Sequence, residues 1–396
     1  MAIIWEPQLS TEAAAWNDKA RTLTRDLFAP LAAEIDRDQR YPVEHLAPLL
    51  ASGLSGMFIP SQYGGSDASL TSVVAAVETI AQGCASTSAI LAALSLGAFP
   101  VLIAGTPEQK TTLLGELARH GHAINFALSE RNAGSDPSAL QTTAEREGTG
   151  WRIRGEKCWL GNGGHSHHFI VFARTAPAGE RNNISAFVVA RNSKGVDVDF
   201  YEDKMGIRGT TTTNLKLDTY VSPDALVGEL GHGLKLALAT LNIGRIVIAA
   251  QANGIALSSF AAARDFATER KAFGHAIIDH QGVGFKLADA ATALSSSRMM
   301  MYEAARAYDA KQDVSVLGAM AKLLASEVSH KVVDDAVQIF GGRGYVKPNL
   351  VERAYRDQRI TEIYEGTSEI QRVVLVRAIK KTANTAVAGV TPFTQA

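Results

Sequence analysis

The chain has 396 residues, of which 46% are hydrophobic and 20% charged, and its formal net charge is −1. This length is enough for two or three domains, each with its own core. The near-neutral charge argues against nucleic acid as a partner, because proteins that bind it present a basic surface. Two cysteines, Cys84 and Cys158, lie far apart and form no CxxC pattern, so we expect a reducing compartment rather than a disulfide framework.

No targeting or membrane segment is predicted. The N-terminal run Met1-Ala-Ile-Ile-Trp-Glu-Pro lacks the basic start and apolar core of a signal peptide. The most apolar run, residues 88–104, contains Gly97 and Pro100, and it predicts a buried helix rather than a membrane span. We therefore expect a cytoplasmic protein without membrane contact.

Apolar residues recur at helical spacing over the first 120 residues. A Pro- and Gly-containing loop over 58–66 interrupts them, and Thr106 with Gln109 predicts a capping box. Helices are predicted over 11–37, from Pro42 to Gly53, over 70–82 and 85–97, and from Thr106 onwards.

Near Ala123 the period changes to short runs of β-branched and aromatic residues, which is typical of a small all-β domain. Strands are predicted over 122–129, 151–160, 168–174, 184–190, 196–200 and 214–218. Helical spacing returns at Gly233 and holds to Ile379, with segments beginning near Leu234, Val283, Ser315 and Ser368. The small, polar tail over 382–396 is expected to be frayed.

Helices, then strands, then helices indicate an α+β chain with domains over 1–121, 122–230 and 231–396. We find no βαβ pattern, and no Gly-x-Gly-x-x-Gly follows a predicted strand. A nicotinamide cofactor on a Rossmann domain is therefore not expected.

The segment from Arg359 to Arg372 places a carboxylate, Glu365, between Tyr364 and Gly366 just before a helix. Ser368 and Gln371 have the spacing of a capping box for that helix. Desolvation beside an aromatic residue raises the pKa of a carboxyl group, as a general base working near neutrality requires. The alternative is a solvated glutamate at a helix entry.

Two motifs in the β region each allow two interpretations. The polar run from Ser129 to Asp136 follows the first strand, so it could bind a polar ligand edge or form a simple turn. Trp159, before a glycine-rich turn, could stack on a planar cofactor or fill the core.

Two further motifs also allow two interpretations each. The run from Glu269 to Gly274 could bind a diphosphate or end a helix, and the glycines from Gly341 to Gly344 could approach a phosphate or end another. The cluster His165, His167 and His168 meets no metal-ligand spacing, so no metal site is predicted.

Taken together, these motifs resemble the acyl-CoA dehydrogenases, in matching order over nearly the whole chain. The matching runs are Phe126-Ala-Leu-Ser-Glu with Ala133-Gly-Ser-Asp, Gly155-Glu-Lys-Cys-Trp with Asn162-Gly-Gly, Gly244-Arg, Glu269-Arg-Lys-Ala-Phe-Gly, Asp335-Ala-Val-Gln-Ile-Phe-Gly-Gly and Ile363-Tyr-Glu-Gly-Thr-Ser-Glu-Ile-Gln-Arg.

The resemblance implies a helical N-terminal domain, a small β-barrel-like middle domain and a C-terminal four-helix bundle, with FAD between the last two. It implies a homotetramer built as a dimer of dimers, and an electron-transfer flavoprotein as acceptor. It also implies that Glu365 removes the α-proton of an acyl-CoA while flavin N5 takes the β-hydride, giving the trans-2-enoyl-CoA. The Glu365 backbone N–H would bind the thioester carbonyl.

The resemblance assigns the remaining site residues by position. Those matching the flavin-lining segment are Phe126, Leu128, Ser129, Trp159 and Gly161. Those matching contacts to the FAD of the neighbouring subunit are Arg270, Phe273, Gln281, Gln338, Gly341 and Gly342, with Thr367 and Glu369 at its other end. Those matching substrate contacts are Ser135, Asn242, Arg245, Tyr364 and Gly366.

Two positions separate this chain from parts of the family. Some members carry the base immediately before the arginine that matches Arg245, where this chain has Gly244, so the base is expected at Glu365. Gly161 replaces a threonine whose hydroxyl approaches flavin N5 in the family. Gly161 therefore supports one rival function, an oxygen-using flavin monooxygenase or oxidase on the same fold; the other rival is a non-catalytic acyl-CoA binder.

The expected floor of the acyl pocket consists of small residues, Ser88, Ala89 and Ala92. Small side chains there suggest room for more than a four-carbon chain, or for a branched or cyclic acyl group. The sequence does not choose between these.

Overall fold

The computed structural model describes residues 3–381, so the predicted frayed tail lies outside the described residues. Along the chain, the strands of the sheet follow one group of helices and precede another, which confirms the predicted α+β class.

The N-terminal part is helical, as predicted. The helix expected over 11–37 is a continuous rod in which α1 and α2 are joined by a π-helical turn at Thr24–Phe28. The predicted capping box forms, with Thr106 and Gln109 each bonding the other's backbone. The helices are α1 (Thr11–Leu23), α2 (Ala29–Asp38), α3 (Val43–Ala51), α4 (Leu70–Gly83), α5 (Ala85–Ala104), α6 (Pro107–Gln109) and α7 (Gly115–His120).

The prediction that α5 ends at Gly97 is wrong, because the helix continues through Gly97 and Pro100 to Ala104. Gly97 does not break the helix. A Cβ there would collide with the backbone carbonyl of Ile124, so the glycine allows α5 to pack directly on the first strand.

The middle part is one eight-stranded sheet made of two halves. One half has the order β6-β7-β3-β2, and the other contains β4, β5 and β8 with β1 parallel to β4. A single parallel pair, Thr143 with Arg174, joins the halves. The strands are β1 (Ile124–Ala127), β2 (Thr143–Glu147), β3 (Gly150–Gly161), β4 (His168–Arg174), β5 (Ile184–Ala190), β6 (Val196–Tyr201), β7 (Thr212–Val221) and β8 (Leu226–Val227).

The C-terminal part is built on three long helices that pack against one another. A short hairpin follows the first of them, and the short helix α11 was not predicted. The elements are α8 (Gly233–Glu269), β9 (Lys271–Ala272), β10 (His275–Ala276), α9 (Gln281–Asp309), α10 (Ser315–Phe340), α11 (Leu350–Gln358) and α12 (Ser368–Lys381).

Helix α8 packs against α4 and α5 from the N-terminal part and against α9 and α10 from the C-terminal part. By length and composition, α5 and α8 could each cross a membrane. However, 72% and 78% of their most apolar stretches are buried inside the fold, as in core helices. The prediction of a buried helix over 88–104 is therefore confirmed.

Candidate active site

Glu365 lies in a strained turn between two helical segments. A 3-10 turn (Arg359–Glu362) follows α11, and α12 begins at Ser368. Between them the backbone takes φ of +53° at Glu365 and +93° at Gly366. A left-handed conformation is unfavourable for any residue except glycine, so the surrounding structure must hold Glu365 in place.

The predicted capping box at Ser368 is wrong. The helix starts at Ser368, so the cap is Thr367, whose Oγ1 accepts from the backbone N–H of Ile370 at 3.3 Å. In a capping box the glutamine side chain accepts from a backbone N–H. Here Nε2 of Gln371 instead donates to the carbonyl of Gly366 at 2.6 Å. Both side chains therefore hold the turn that carries Glu365.

The Glu365 side chain points at α8. A Cβ built on Gly244 would collide with Oε2 of Glu365 and would lie 3.1 Å from a methyl group of Leu96. Oε2 is shielded from solvent and has no hydrogen-bond partner within residues 3–381. Burial raises the pKa of Glu365 to about 7, although the positive charges of Lys322 and Arg245 act to lower it.

Arg245 lies one position after Gly244 on α8 and is 3% exposed. Its Nη1 donates to Oδ1 of Asn242 at 2.8 Å, whereas its Nε is buried and finds no acceptor in the described part of the chain. Buried donors are usually satisfied. An unpaired guanidinium N–H beside a carboxylate is thus available to a ligand.

Tyr364 connects the turn to the helices behind it. Its hydroxyl donates to Oε1 of Gln251 on α8, and Nε2 of Gln251 donates to the carbonyl of Ala85 at 3.1 Å. Gln251 is fully buried and was not singled out from the sequence.

The three small residues expected at the pocket floor lie on α5. Ala92, Ala89 and Ser88 are four, seven and eight positions before Leu96, so they share its helix face. All three are buried. Ala89 packs in a cluster with Ile207 and Ile255, so large side chains fill the space beside it.

A second group of predicted residues meets where β1 ends against β3. The backbone N–H of Cys158 donates to the carbonyl of Ser129 at 3.0 Å, and Nδ2 of Asn125 donates to the carbonyl of Gly161 at 2.6 Å. Phe126 and Leu128 lie on the same segment and pack in one core cluster.

Trp159 lies in an irregularity of β3, between Lys157 and Leu160, where the register with β7 shifts. Its φ is +58° and the residue is 53% exposed, so the ring does not fill the core. The exposure of Trp159 contradicts the core interpretation, and stacking on a planar cofactor stays a prediction.

A buried ion pair, which sequence reasoning missed, fixes this junction. Lys157 is 0% exposed, and its Nζ donates to the carbonyl of Leu128 at 3.1 Å and to Oε1 of Glu130 at 2.7 Å. Glu130 also accepts from the backbone of Gln141 and Thr142 at 2.6 and 3.0 Å. The end of β1 is thus held from both sides.

A third group lies at the far end of α8. Phe266 stacks on Phe340 with ring centroids 4.4 Å apart, which brings the hairpin after α8 next to the C-terminal end of α10. Phe273 is 94% exposed. The predicted residues in this group, all exposed, are Arg270, Phe273, Gln281, Gln338, Gly341 and Gly342.

The structure does not bring this third group to Glu365. Gly244 and Glu269 lie roughly 37 Å apart along α8, at about 1.5 Å of rise per residue. Thr367 and Glu369, by contrast, lie within four positions of Glu365, and Ser135 is exposed in the loop between β1 and β2.

The histidine cluster faces different partners. His165 stacks on Tyr41 with centroids 3.7 Å apart, and His167 stacks on His122 at 4.0 Å. Within residues 3–381, no group of three His, Cys, Asp or Glu side chains has the proximity to hold a metal ion.

Comparison with known proteins places these observations in a family. Profiles of the N-terminal, middle and C-terminal domains of acyl-CoA dehydrogenase match residues 10–121, 125–220 and 231–380. The probable acyl-CoA dehydrogenase FadE25 of Mycobacterium tuberculosis is 43% identical over 91% of this chain and 93% of its own.

Two further relatives are informative. The human mitochondrial short-chain specific acyl-CoA dehydrogenase is 42% identical over 89% of this chain and 85% of its own length. The solved structure of butyryl-CoA dehydrogenase from Megasphaera elsdenii is 35% identical, with a TM-score of 0.92 over 95% of this chain and 100% of that one.

Proposed function

Since the chain belongs to the acyl-CoA dehydrogenase family, whose members are FAD-dependent oxidoreductases, we propose that it converts a short-chain acyl-CoA to the trans-2-enoyl-CoA, with Glu365 as the base. One observation carries the assignment. Glu365 presents a shielded carboxylate oxygen without a protein partner, in a strained turn, among residues 3–381.

Glu365 has the properties that α-proton removal requires. Burial raises its pKa to about 7, so near neutrality the carboxylate can accept a proton and later release it. The Glu365 backbone N–H would bind the thioester carbonyl, which stabilises the charge that develops as the α-carbon loses its proton. Arg245, whose Nε has no acceptor within residues 3–381, would bind the CoA part.

The residues present fit FAD, which supplies the hydride acceptor when bound. The half-exposed ring of Trp159 offers a surface for a flat ring system, and Phe126, Leu128, Ser129 and Gly161 would line it. Arg270 offers a guanidinium to a diphosphate. A Cβ at Gly341 or Gly342 would meet no atom of residues 3–381 within 4 Å, so a ligand can approach that backbone closely.

A short acyl chain is supported by packing and by the relatives. The small residues on α5 are buried rather than open, because Ala89 packs with Ile207 and Ile255 and the hydroxyl of Ser88 bonds the carbonyl of Val77 at 3.4 Å. The human relative is named short-chain specific, and the solved neighbour is a butyryl-CoA dehydrogenase.

We place the protein in the cytoplasm, as a homotetramer that passes its electrons to an electron-transfer flavoprotein. The separation of the third residue group from Glu365 supports an oligomer, because those residues would serve the FAD of a neighbouring subunit.

The visible spectrum of the purified protein tests the function. The protein is titrated in the absence of oxygen with straight, branched and cyclic acyl-CoAs. We expect the short straight-chain acyl-CoAs to bleach the flavin. Glu365→Gln should still bind flavin and acyl-CoA but lose turnover. Near-normal turnover in Glu365→Gln would refute the base assignment.

One observation favours a second candidate, an oxidase on the same fold. A Cβ at Gly161 would meet no atom of the described residues within 4 Å, so the position leaves open space beside the expected flavin edge. An oxidase would be re-oxidised rapidly by air, whereas a dehydrogenase would stay reduced until an electron-transfer flavoprotein is added.

A further inference from the structure

Helix α10 carries a lysine in its most buried stretch. Lys322 is 0% exposed, and its neighbours on the same helix face are Gly318, Ala319, Ala325 and Ser326, all buried. A buried ammonium group is costly unless it has a partner, so its contacts call for an explanation.

Lys322 bonds to the turn that carries the base. Its Nζ donates to the carbonyl of Gly366 at 2.8 Å, the same oxygen that accepts from Nε2 of Gln371 at 2.6 Å. Because Glu365 and Gly366 both have positive φ, two donors on this one carbonyl fix a backbone that would otherwise relax.

The charges around this contact come from three helices and the turn. Lys322 and Glu327 are on α10, Arg245 on α8, Glu369 on α12, and Glu365 lies in the turn. Burial lowers the pKa of Lys322 to about 8, and the nearby Glu365 carboxylate opposes this. Lys322 in turn acts to lower the pKa of Glu365 against the effect of burial.

A structural role would need only a neutral donor, and Gln371 already provides one. The additional feature that Lys322 brings is a positive charge in a poorly solvated place, where electrostatic interactions are strong. We propose that Lys322 is a positioning residue for the base: its ammonium fixes the Glu365–Gly366 turn and stabilises the ionised form of the Glu365 carboxylate. The proposal rests on the proposed role of Glu365.

Two variants separate charge from hydrogen bonding. Lys322→Met and Gln371→Met each remove one donor to the Gly366 carbonyl and replace it with an unbranched apolar side chain, but only the first removes a charge. The ionisation of Glu365 can be followed by infrared spectroscopy of the FAD-loaded protein. The carboxyl signal of Glu365 is identified as the one that is missing in Glu365→Gln. This readout does not depend on turnover.

We expect Lys322→Met to ionise Glu365 at a higher pH, by about one unit or more, and Gln371→Met to leave the titration unchanged. On the acid limb of kcat/KM, Lys322→Met should then be roughly tenfold less active than the parent at the same pH. Lys322→Gln, which keeps a donor, should behave like Lys322→Met and serves if the methionine variant does not fold.

An unchanged Glu365 titration in both Lys322 variants would overturn the proposal. So would an equal shift in Gln371→Met, because the effect would then come from the hydrogen bond and not the charge. Failure of the proposed function is a separate result: the parent protein would not be bleached by any acyl-CoA, while the infrared titration would still report on Lys322.

Discussion

Gly244 and Glu365 are in such close contact that the smallest side chain at one displaces the other. A Cβ at Gly244 would collide with Oε2 of Glu365, the far end of a flexible side chain, rather than with backbone. We therefore expect Gly244→Ala to fold normally and bind FAD, because the carboxylate can move aside. With the proposed base displaced, kcat should fall at least tenfold, since small misplacements of a reacting group are costly.

Gly282→Ala is the matched control for this prediction. It also places alanine for glycine in a long helix, but its Cβ would meet no atom within 4 Å in the part of the chain that the structure describes. Thermal unfolding, flavin content and steady-state kinetics of both variants check the expectation. Equal kcat in Gly244→Ala and Gly282→Ala would show that Glu365 does not act from the position seen here.

The pKa of Glu365 has a consequence for stability. A carboxyl group whose pKa is higher in the folded protein stabilises it fully below the ordinary value of about 4.5, and this contribution is lost as the pH rises through about 7. Glu365→Gln stays neutral and avoids the loss. We expect its free energy of unfolding to match the parent near pH 4.5 and to exceed it at pH 8, on the order of 3 kcal/mol.

Denaturant unfolding of the FAD-loaded proteins at several pH values measures this difference. Glu362→Gln is a useful comparison, since that carboxylate has side-chain partners: it pairs with Arg359 and lies 3.1 Å from the ring of His330. A constant gap between Glu365→Gln and the parent at every pH would mean that Glu365 ionises in the folded protein at its ordinary pH.

At the scale of elements, the junction of β1 and β3 depends on the pair of Lys157 and Glu130. Lys157→Met removes the donor to the Leu128 carbonyl and leaves a buried carboxylate without its cation. We expect a loss of stability of about 3 kcal/mol or more. FAD affinity should fall at least tenfold, because the segment proposed to line the flavin is no longer fixed.

Arg152→Met is the control on the same strand. Its pair with Glu147 is partly exposed, with 28% and 45% of the two side chains accessible, so its loss should cost about 1 kcal/mol or less. Urea unfolding and flavin titration of both variants provide the comparison. Equal stability losses would contradict a special role for Lys157.

The order of helices and strands could be predicted from the periodicity of the sequence, whereas several details could not. Strand β2 was missed because only Ala144 among its residues is buried, so it shows no alternation. The predicted end of α5 at Gly97 was wrong because this glycine allows a tertiary contact that no local pattern reveals. Helix α11 could not be predicted from the pattern, because it has only nine residues and follows a glycine- and proline-containing segment.

The same limit applies to the site. Local motifs indicated Glu365, Arg245 and Trp159, since each lies in a distinctive run of residues. Lys322 and Gln251 come from other helices and meet the turn only in the folded chain. A lysine within an otherwise apolar or small helix face was the available signal for Lys322.

At the scale of the whole molecule, the third residue group is proposed to bind the FAD of a neighbouring chain. Arg270→Ala alone and Glu365→Gln alone should each be inactive. When both are co-expressed, a mixed dimer contains one site with an intact Glu365 and an intact Arg270 from the other chain. Random pairing makes half of the dimers mixed, so about a quarter of the parent activity should return. Activity that stays at the level of the separate variants would mean that Arg270 does not serve a neighbouring subunit's site.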